Sequence, residues 1–160
     1  MIVRGLSILR PCVKGLSENI RVRSIVGRFL EHSRIFHFAN GGNSEIYLGS
    51  ADWMPRNLFE RCEVVFPVRD QAALDRIHEE ILPAYLADTV KARMQQSDGS
   101  YIRASKLYKD APTFSSQDFL MQLAEGKTDL DAIPKPAIAK PTEKRSKEEK
   151  HSREQVITAD

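Results

Sequence analysis

The segment ENIRVRSIVGRFLEHSRIFHFANGGNSEIYLGSADWMPRNL, residues 18 to 58, decides the fold and function that the sequence predicts. Its first strand carries Arg21 and Arg23 at alternate positions, which predicts a strand with one basic face. His32 and Arg34 follow, before Gly-rich turns and further β-type residues. An imidazole exchanges protons or accepts a phosphoryl group near neutral pH, and guanidinium groups bind phosphate oxygens in forked pairs. The segment therefore predicts half of a phosphate-handling site.

The charge distribution favours an anionic partner. The chain has 160 residues, enough for one domain with a core or a domain plus a tail, and its net charge is only +2. Residues 1 to 34, however, hold seven Lys or Arg against two Glu, a local net charge of +5. This asymmetry favours a nucleotide, polyphosphate or nucleic acid, with a solvated basic face as the alternative.

Cysteine usage and hydropathy indicate a reducing, aqueous compartment. Cys12 and Cys62 are isolated, so their spacing supports neither a redox motif nor a zinc site. No apolar run approaches the roughly 20 residues that cross a bilayer, and the first residues lack the apolar region of a signal peptide. These features predict a cytoplasmic protein.

Strand and hairpin signals dominate the first hundred residues. Ile2–Arg4 predicts a short buried strand, and residues 62–67 predict another. Two β-type runs flank Asn40-Gly41-Gly42-Asn43, a hairpin signal because Asn and Gly tolerate positive φ. Asp98-Gly99 predicts a second hairpin in the same way.

Two helices are predicted in the second half. Asp70 can cap the first, whose apolar residues recur every three or four positions, and Pro83 should kink or shorten it. Ser116 can cap the second, and Gly126 should end it. The apolar pattern then stops, so we expect one domain over residues 1–126 and a disordered, charged tail over residues 127–160.

With these residues in view, the sequence resembles the C-terminal domain of bacterial polyphosphate kinase over about residues 1 to 125. The similarity is carried by IVRG at 2–5, GLSENIRVRSIV at 15–26, RFLEH at 28–32, NGG at 40–42, SADWMPRNL at 50–58 and DTVKAR at 88–93. The resemblance implies an α/β fold of the phospholipase D type, a mixed sheet flanked by helices that is incomplete on its N-terminal side.

The same resemblance implies an enzyme that transfers the γ-phosphate of ATP reversibly to inorganic polyphosphate, through a phosphohistidine and with Mg²⁺. The family's phosphorylated His and magnesium-associated Arg residues have no match in this sequence, so we expect an N-terminally truncated fragment that is inactive alone. The implied partners are ATP, ADP, polyphosphate and the remainder of the kinase in a homo-oligomer, and not nucleic acid.

The resemblance also assigns site residues. Arg4 matches the family's ATP-phosphate-contacting Arg, and His32 matches its second active-site His, expected to give the transferring phosphate a polar or proton-donating contact. Residues 49–52 resemble the Gly-Ser-x-Asn segment of phospholipase D-like folds, so Ser50 and Asp52 are expected to orient His32. The alternative for Asp52 is a cap on the following loop.

Three further arginines and the metal complete the predicted site. Arg21 and Arg23 are candidates for an anionic channel, with surface solvation as the alternative, and Arg56 is a weaker candidate for a phosphate contact. We expect no metal ligand within the chain, because the family's magnesium contacts lie upstream.

Two other functions stay open on the sequence. A phospholipase D-like phosphodiesterase is disfavoured, because its His-x-Lys motif reads His32-Ser33-Arg34 and occurs once, whereas that chemistry pairs two His. A non-catalytic polyanion-binding module is the second alternative for the chain in isolation.

Overall fold

The computed structural model describes residues 1–5 and 7–137, so most of the predicted tail, residues 138–160, lies outside the described residues. Within the described part, the strands form two three-stranded sheets, and the predicted α/β class is confirmed. The strands are β1 (Arg23–Ile25), β2 (Ile35–Phe38), β3 (Glu45–Gly49), β4 (Val65–Pro67), β5 (Ala92–Gln95) and β6 (Tyr101–Arg103). The α-helices are α1 (Gln71–Asp75), α2 (Leu82–Ala87), α3 (Ala104–Leu107) and α4 (Ser116–Ala124).

The first sheet has the order β1–β5–β6 and is antiparallel, with Arg23 opposite Met94. The predicted strand at the start of the chain is reduced to a single parallel bridge between Ile2 and Arg23. The predicted β5–β6 hairpin is confirmed, and Gly99 takes the positive φ of its turn, 87°. A buried apolar cluster formed by Ile25, Ala92, Met94 and Ala104 packs on this sheet.

The second sheet has the order β2–β3–β4 and is also antiparallel. Its β2–β3 hairpin is confirmed, with Asn40 and Gly41 at φ values of 43° and 61° in the turn. The strand predicted within residues 62–67 exists as β4, but its predicted burial is wrong, since all three residues are exposed. Pairing with β3 satisfies backbone groups of β4 but does not cover its side chains, and no second layer lies over them in the described residues.

A helical run joins the two sheets. Asp70 caps it as predicted, its Oδ1 accepting from Ala73 N at 2.9 Å. The run passes from α1 through a π-helical segment, Arg76–Ile81, into α2. Pro83 lies in the first turn of α2 and does not end the run. A proline is tolerated in the first turn of a helix, where its missing N–H costs little, and the π-helical segment directly precedes it.

Asp88, 1% exposed, fixes the corner between α2, β5 and α4. Its Oδ1 accepts from Lys91 N at 2.6 Å and Ala92 N at 2.9 Å, and its Oδ2 accepts from Ser116 N at 2.8 Å and Ser116 Oγ at 2.7 Å. The prediction that Ser116 caps α4 is therefore wrong, because Ser116 is its first helical residue. Gly126, at φ 67°, follows the helix end as predicted.

Candidate functional site

The β2–β3 hairpin places residues 32–34 beside residues 50–52. Its register extends to Gly49 N, which donates to Arg34 O at 3.2 Å. The Arg34 guanidinium lies against Asp52 Oδ1, with Nε at 3.0 Å and Nη2 at 2.9 Å. Arg34 Nη1 lies 2.9 Å from His32 Nδ1 and donates to His32 O at 2.7 Å. The structure thus brings His32 and Asp52 into one constellation, with Arg34 as the link between them.

This imidazole, guanidinium and carboxylate form a surface site. His32 and Asp52 are exposed, whereas the Arg34 side chain is 17% exposed. The carboxylate neutralises part of the guanidinium charge, and its two short contacts fix the guanidinium plane. In the sequence, Arg34 is only a basic residue beside His32. Its role could have been found from the hairpin, because folding the chain at Asn40-Gly41-Gly42 sets residue 34 opposite residue 49.

A second carboxylate lies behind this site. Ser50 Oγ donates to Glu63 Oε2, and Asn57 Nδ2 donates to Glu63 Oε1 at 2.8 Å. The hydrogen bond from Ser50, followed by that from Asn57, lowers the pKa of Glu63, and the charge of Arg34 adds to the effect. The Ser50 hydroxyl therefore faces Glu63. No sequence motif singles out Glu63, which comes beside Ser50 because β4 and the residues before it pair with β3.

The loop that presents His32 is tethered to the helices. Phe29 N donates to Gln117 Oε1 at 3.0 Å, and Gln117 Nε2 donates to Phe29 O at 2.9 Å and also to Glu31 Oε1. Tyr85 OH donates to Glu31 Oε2 at 2.7 Å. Burial raises the pKa of Tyr85, and the bond to Glu31 raises it further, so the hydroxyl stays protonated. These contacts hold the residues before His32 on α2 and α4.

His32 lies at a cavity of about 570 Å³, together with its own loop and one side of α4. The cavity is lined by Phe29, Leu30, Glu31, His32, Ser33, Tyr85, Gln117, Leu120, Met121 and Ala124. Arg4 lies outside this lining. It is exposed and follows the Ile2–Arg23 bridge on the first sheet, so the structure does not bring it together with His32 in this cavity.

The other predicted arginines are in different environments. Arg23 is 8% exposed, and its Nη1 donates to Leu86 O and, at 3.5 Å, to Tyr85 O. Burial lowers the pKa of this guanidinium. Arg23 thus caps the C-terminus of α2 inside the fold and presents no basic face to solvent. Arg21 is half-buried, and Arg56 is exposed at the start of the π-helical segment Arg56–Glu60.

The described residues do not fit a magnesium ion. Among residues 1–5 and 7–137, no three His, Cys, Asp or Glu side chains are grouped to hold a metal. The carboxylates around His32 are engaged by other groups: Glu31 by Tyr85 and Gln117, Asp52 by Arg34, and Glu63 by Ser50 and Asn57. In the same part of the chain, no helix is long and apolar enough to cross a membrane.

The fold and this constellation define an α/β protein with a surface His–Arg–Asp site. More specifically, the chain belongs to the polyphosphate kinase family, since the family described as polyphosphate kinase C-terminal domain 2 matches residues 1–117. The polyphosphate kinase of Pseudomonas aeruginosa is 48% identical over 124 residues, which are 78% of this chain and 18% of that protein. The polyphosphate kinase of Paraburkholderia phytofirmans is 56% identical over 103 residues, 64% of this chain and 15% of that protein.

A solved structure supports the same assignment. The crystal structure of polyphosphate kinase from Porphyromonas gingivalis matches with a TM-score of 0.63 at 39% sequence identity. The match covers 69% of this chain and 17% of that one. The chain therefore spans less than a fifth of the length of these relatives.

Proposed function

We propose that the chain supplies the C-terminal part of the catalytic unit of a polyphosphate kinase, which transfers the γ-phosphate of ATP reversibly to inorganic polyphosphate. The phosphohistidine that carries the phosphoryl group lies outside this chain. The observation that carries the proposal is the contact between His32, Arg34 and Asp52 within a segment that matches the family. ATP as donor places the enzyme in the cytoplasm.

The chain's own residues have distinct tasks in this reaction. Arg34, fixed by Asp52, holds positive charge beside the His32 imidazole, where it stabilises the negative charge of a transferring phosphoryl group. His32 contacts that group and holds a proton for it. Arg4 binds the phosphates of ATP. Because Arg4 lies outside the lining of the His32 cavity, the ATP phosphates must extend beyond that cavity to reach it. We assign the magnesium ligands to polypeptide outside this chain.

A chimera tests this function. In it, the chain replaces the matched 124-residue segment of the Pseudomonas aeruginosa relative. We expect ATP-dependent polyphosphate synthesis, and we expect His32→Ala or Arg4→Ala to reduce its kcat by about 100-fold or more, the usual loss when a charge-stabilising group is removed. Arg76→Ala is the matched control, because Arg76 pairs only with Glu80 on the helix surface among the contacts described. Normal activity in both site variants would contradict the site assignment.

A second candidate is a polyanion-binding module that transfers nothing. It is favoured by the net charge of +5 over residues 1–34 and by a cavity of about 580 Å³ whose lining includes Arg10 and Arg93. The chain alone should then bind polyphosphate with an affinity that falls steeply with salt, because neutralised phosphates release counterions. Neither candidate function includes phosphodiester hydrolysis, so the chain should release no chromophore from a chromogenic phosphodiester substrate.

A further inference from the structure

One face of the second sheet carries aromatic and aliphatic side chains that stay open to solvent. The strand registers put Phe36 and Phe38 of β2, Tyr47 of β3 and Val65 of β4 on this side. Trp53 stacks on Phe36, with ring centroids 5.6 Å apart and planes 19° apart. Together with Leu58 these residues line a cavity of about 860 Å³. We call this surface the aromatic face.

The aromatic face is unusually exposed for such residues. Trp53 is 74% exposed, and Phe38, Leu58 and Val65 are each more than half exposed. A contiguous apolar surface of this kind marks an interaction site, whereas scattered exposed apolar residues are ordinary. The opposite face of the same sheet is partly covered: Ile46 is 2% exposed, and the His37 ring lies against His78 of the helical run with ring centroids 5.3 Å apart. A sheet buries each apolar face against a further layer, and the aromatic face lacks that layer in the described chain.

The relatives indicate what covers it. The matched segment is only 18% of the Pseudomonas aeruginosa polyphosphate kinase, so most of such an enzyme lies outside this chain. Trp53 directly follows Asp52, which holds Arg34 and through it His32. A partner seated on the aromatic face therefore also borders the candidate site, where the proposed reaction needs a phosphohistidine from outside the chain.

We propose that the aromatic face docks onto the remainder of the polyphosphate kinase polypeptide and so brings that polypeptide to the edge of the His32 site. The inference rests on the proposed function for the identity of the partner. A second copy of the chain would cover the same apolar surface, but it would not bring the missing reacting group to His32.

The chimera described above tests the docking without any activity measurement. Trp53 is the single tryptophan of the chain, so 5-fluorotryptophan gives one ¹⁹F signal in the chain alone. In the chimera, the Trp53 signal is the one missing from a Trp53→Phe variant. Solvent exposure is read from the ¹⁹F shift between H₂O and D₂O. We expect a large shift in the chain alone and loss of most of it in the chimera.

A matched pair of substitutions shows which surface is responsible. Leu58→Asp should return the solvent shift of Trp53 in the chimera, because it places a charge in the aromatic face. Leu16→Asp should leave Trp53 protected, since Leu16 is 79% exposed and outside this face. Both variants of the chain alone should keep the wild-type circular dichroism spectrum, which shows that the substitutions do not unfold it.

Each other outcome has a definite meaning. A chimera that does not fold, a Trp53 that is equally exposed in the chimera and the chain, or protection that survives Leu58→Asp overturns the docking. If Trp53 in the chain alone becomes protected from solvent as the chain concentration rises, the aromatic face binds a second copy. If ATP protects Trp53, the face binds a nucleobase. Either result overturns the proposal. Protection without polyphosphate synthesis supports the docking and contradicts the proposed function alone.

Discussion

Two hydrogen bonds, from Ser50 and Asn57, stabilise the charged form of Glu63 beside the candidate site. The bond from Ser50 is the largest cause of its lowered pKa. Ser50→Ala should therefore raise the pKa of Glu63 toward its ordinary value of 4.5, as followed by NMR titration of the side-chain carboxyl carbon. Because the folded pKa is lowered, the stability that depends on this charge is complete above 4.5 and is lost as pH falls through the folded pKa. In Ser50→Ala the folded pKa lies closer to 4.5, so the pH range between the two values, over which this stability is lost, should become narrower.

Glu18 provides the internal control for this titration. Its pKa is also lowered, mainly by the hydrogen bond from Gly15 N, which is distant in sequence from Ser50. Glu18 should titrate identically in both proteins. A Glu63 titration unchanged by Ser50→Ala would mean that the hydroxyl does not hold its charge.

For single residues, the sequence predicted that His32 and Asp52 share one site, but it did not predict the residue that joins them. Arg34 became the link through the hairpin register, which a motif does not show. Arg23 shows a second limit of prediction from the sequence. Alternation identifies a residue that points away from its strand neighbours, but it does not show what the residue meets. Here that is the end of α2, a segment more than sixty positions further along the chain.

At the scale of elements, the loop that carries His32 depends on the close approach of the Gln117 side chain to Gly27, and a substitution at Gly27 tests this. A Cβ at Gly27 would lie 2.3 Å from Gln117 Oε1. The Gln117 amide can move away from such a Cβ only by giving up hydrogen bonds, because its oxygen and nitrogen are both bonded to the backbone of Phe29. Gly27→Ala should break both bonds and lower the free energy of unfolding by about 2 kcal/mol, at about 1 kcal/mol for each hydrogen bond. Urea unfolding measures this change.

Gly5→Ala is the matched control, since no atom of the described residues lies within 4 Å of a Cβ there. Its effect should stay within about 0.5 kcal/mol, as for most surface substitutions. Equal losses in the two variants would show that the approach of Gln117 to Gly27 is not a structural constraint.

Among the elements, those governed by local chemistry were predictable. The two hairpins follow from Asn-Gly and Asp-Gly turns, and the helical run begins at the Asp70 cap. The start of α4 was misplaced because its cap is not local. Asp88 supplies it from 28 positions away, and no capping pattern next to Ser116 encodes that. The exposure of β4 was missed for a related reason, since an apolar run does not show whether a second layer is present.

For the whole molecule, the division into two sheets depends on pairings that periodicity does not encode. The strands β1 and β5 pair with Arg23 opposite Met94, across the entire second sheet and the helical run. The two sheets also differ in support, since β5 lies between two strands beneath the buried cluster, whereas β4 is an exposed edge.

This difference predicts unequal hydrogen exchange in the chain alone. Gln95 N donates to Val22 O at 2.9 Å in the first sheet, and Val68 N donates to Ile46 O at 2.8 Å in the second. The bonds are alike in length, but opening the first exposes core, so the Gln95 amide should exchange much more slowly than the Val68 amide. In the chimera, docking of the aromatic face should slow exchange at Val68 and leave Gln95 unchanged. Equal protection of the two amides in the chain alone, measured by NMR, would show that the sheets unfold as one unit.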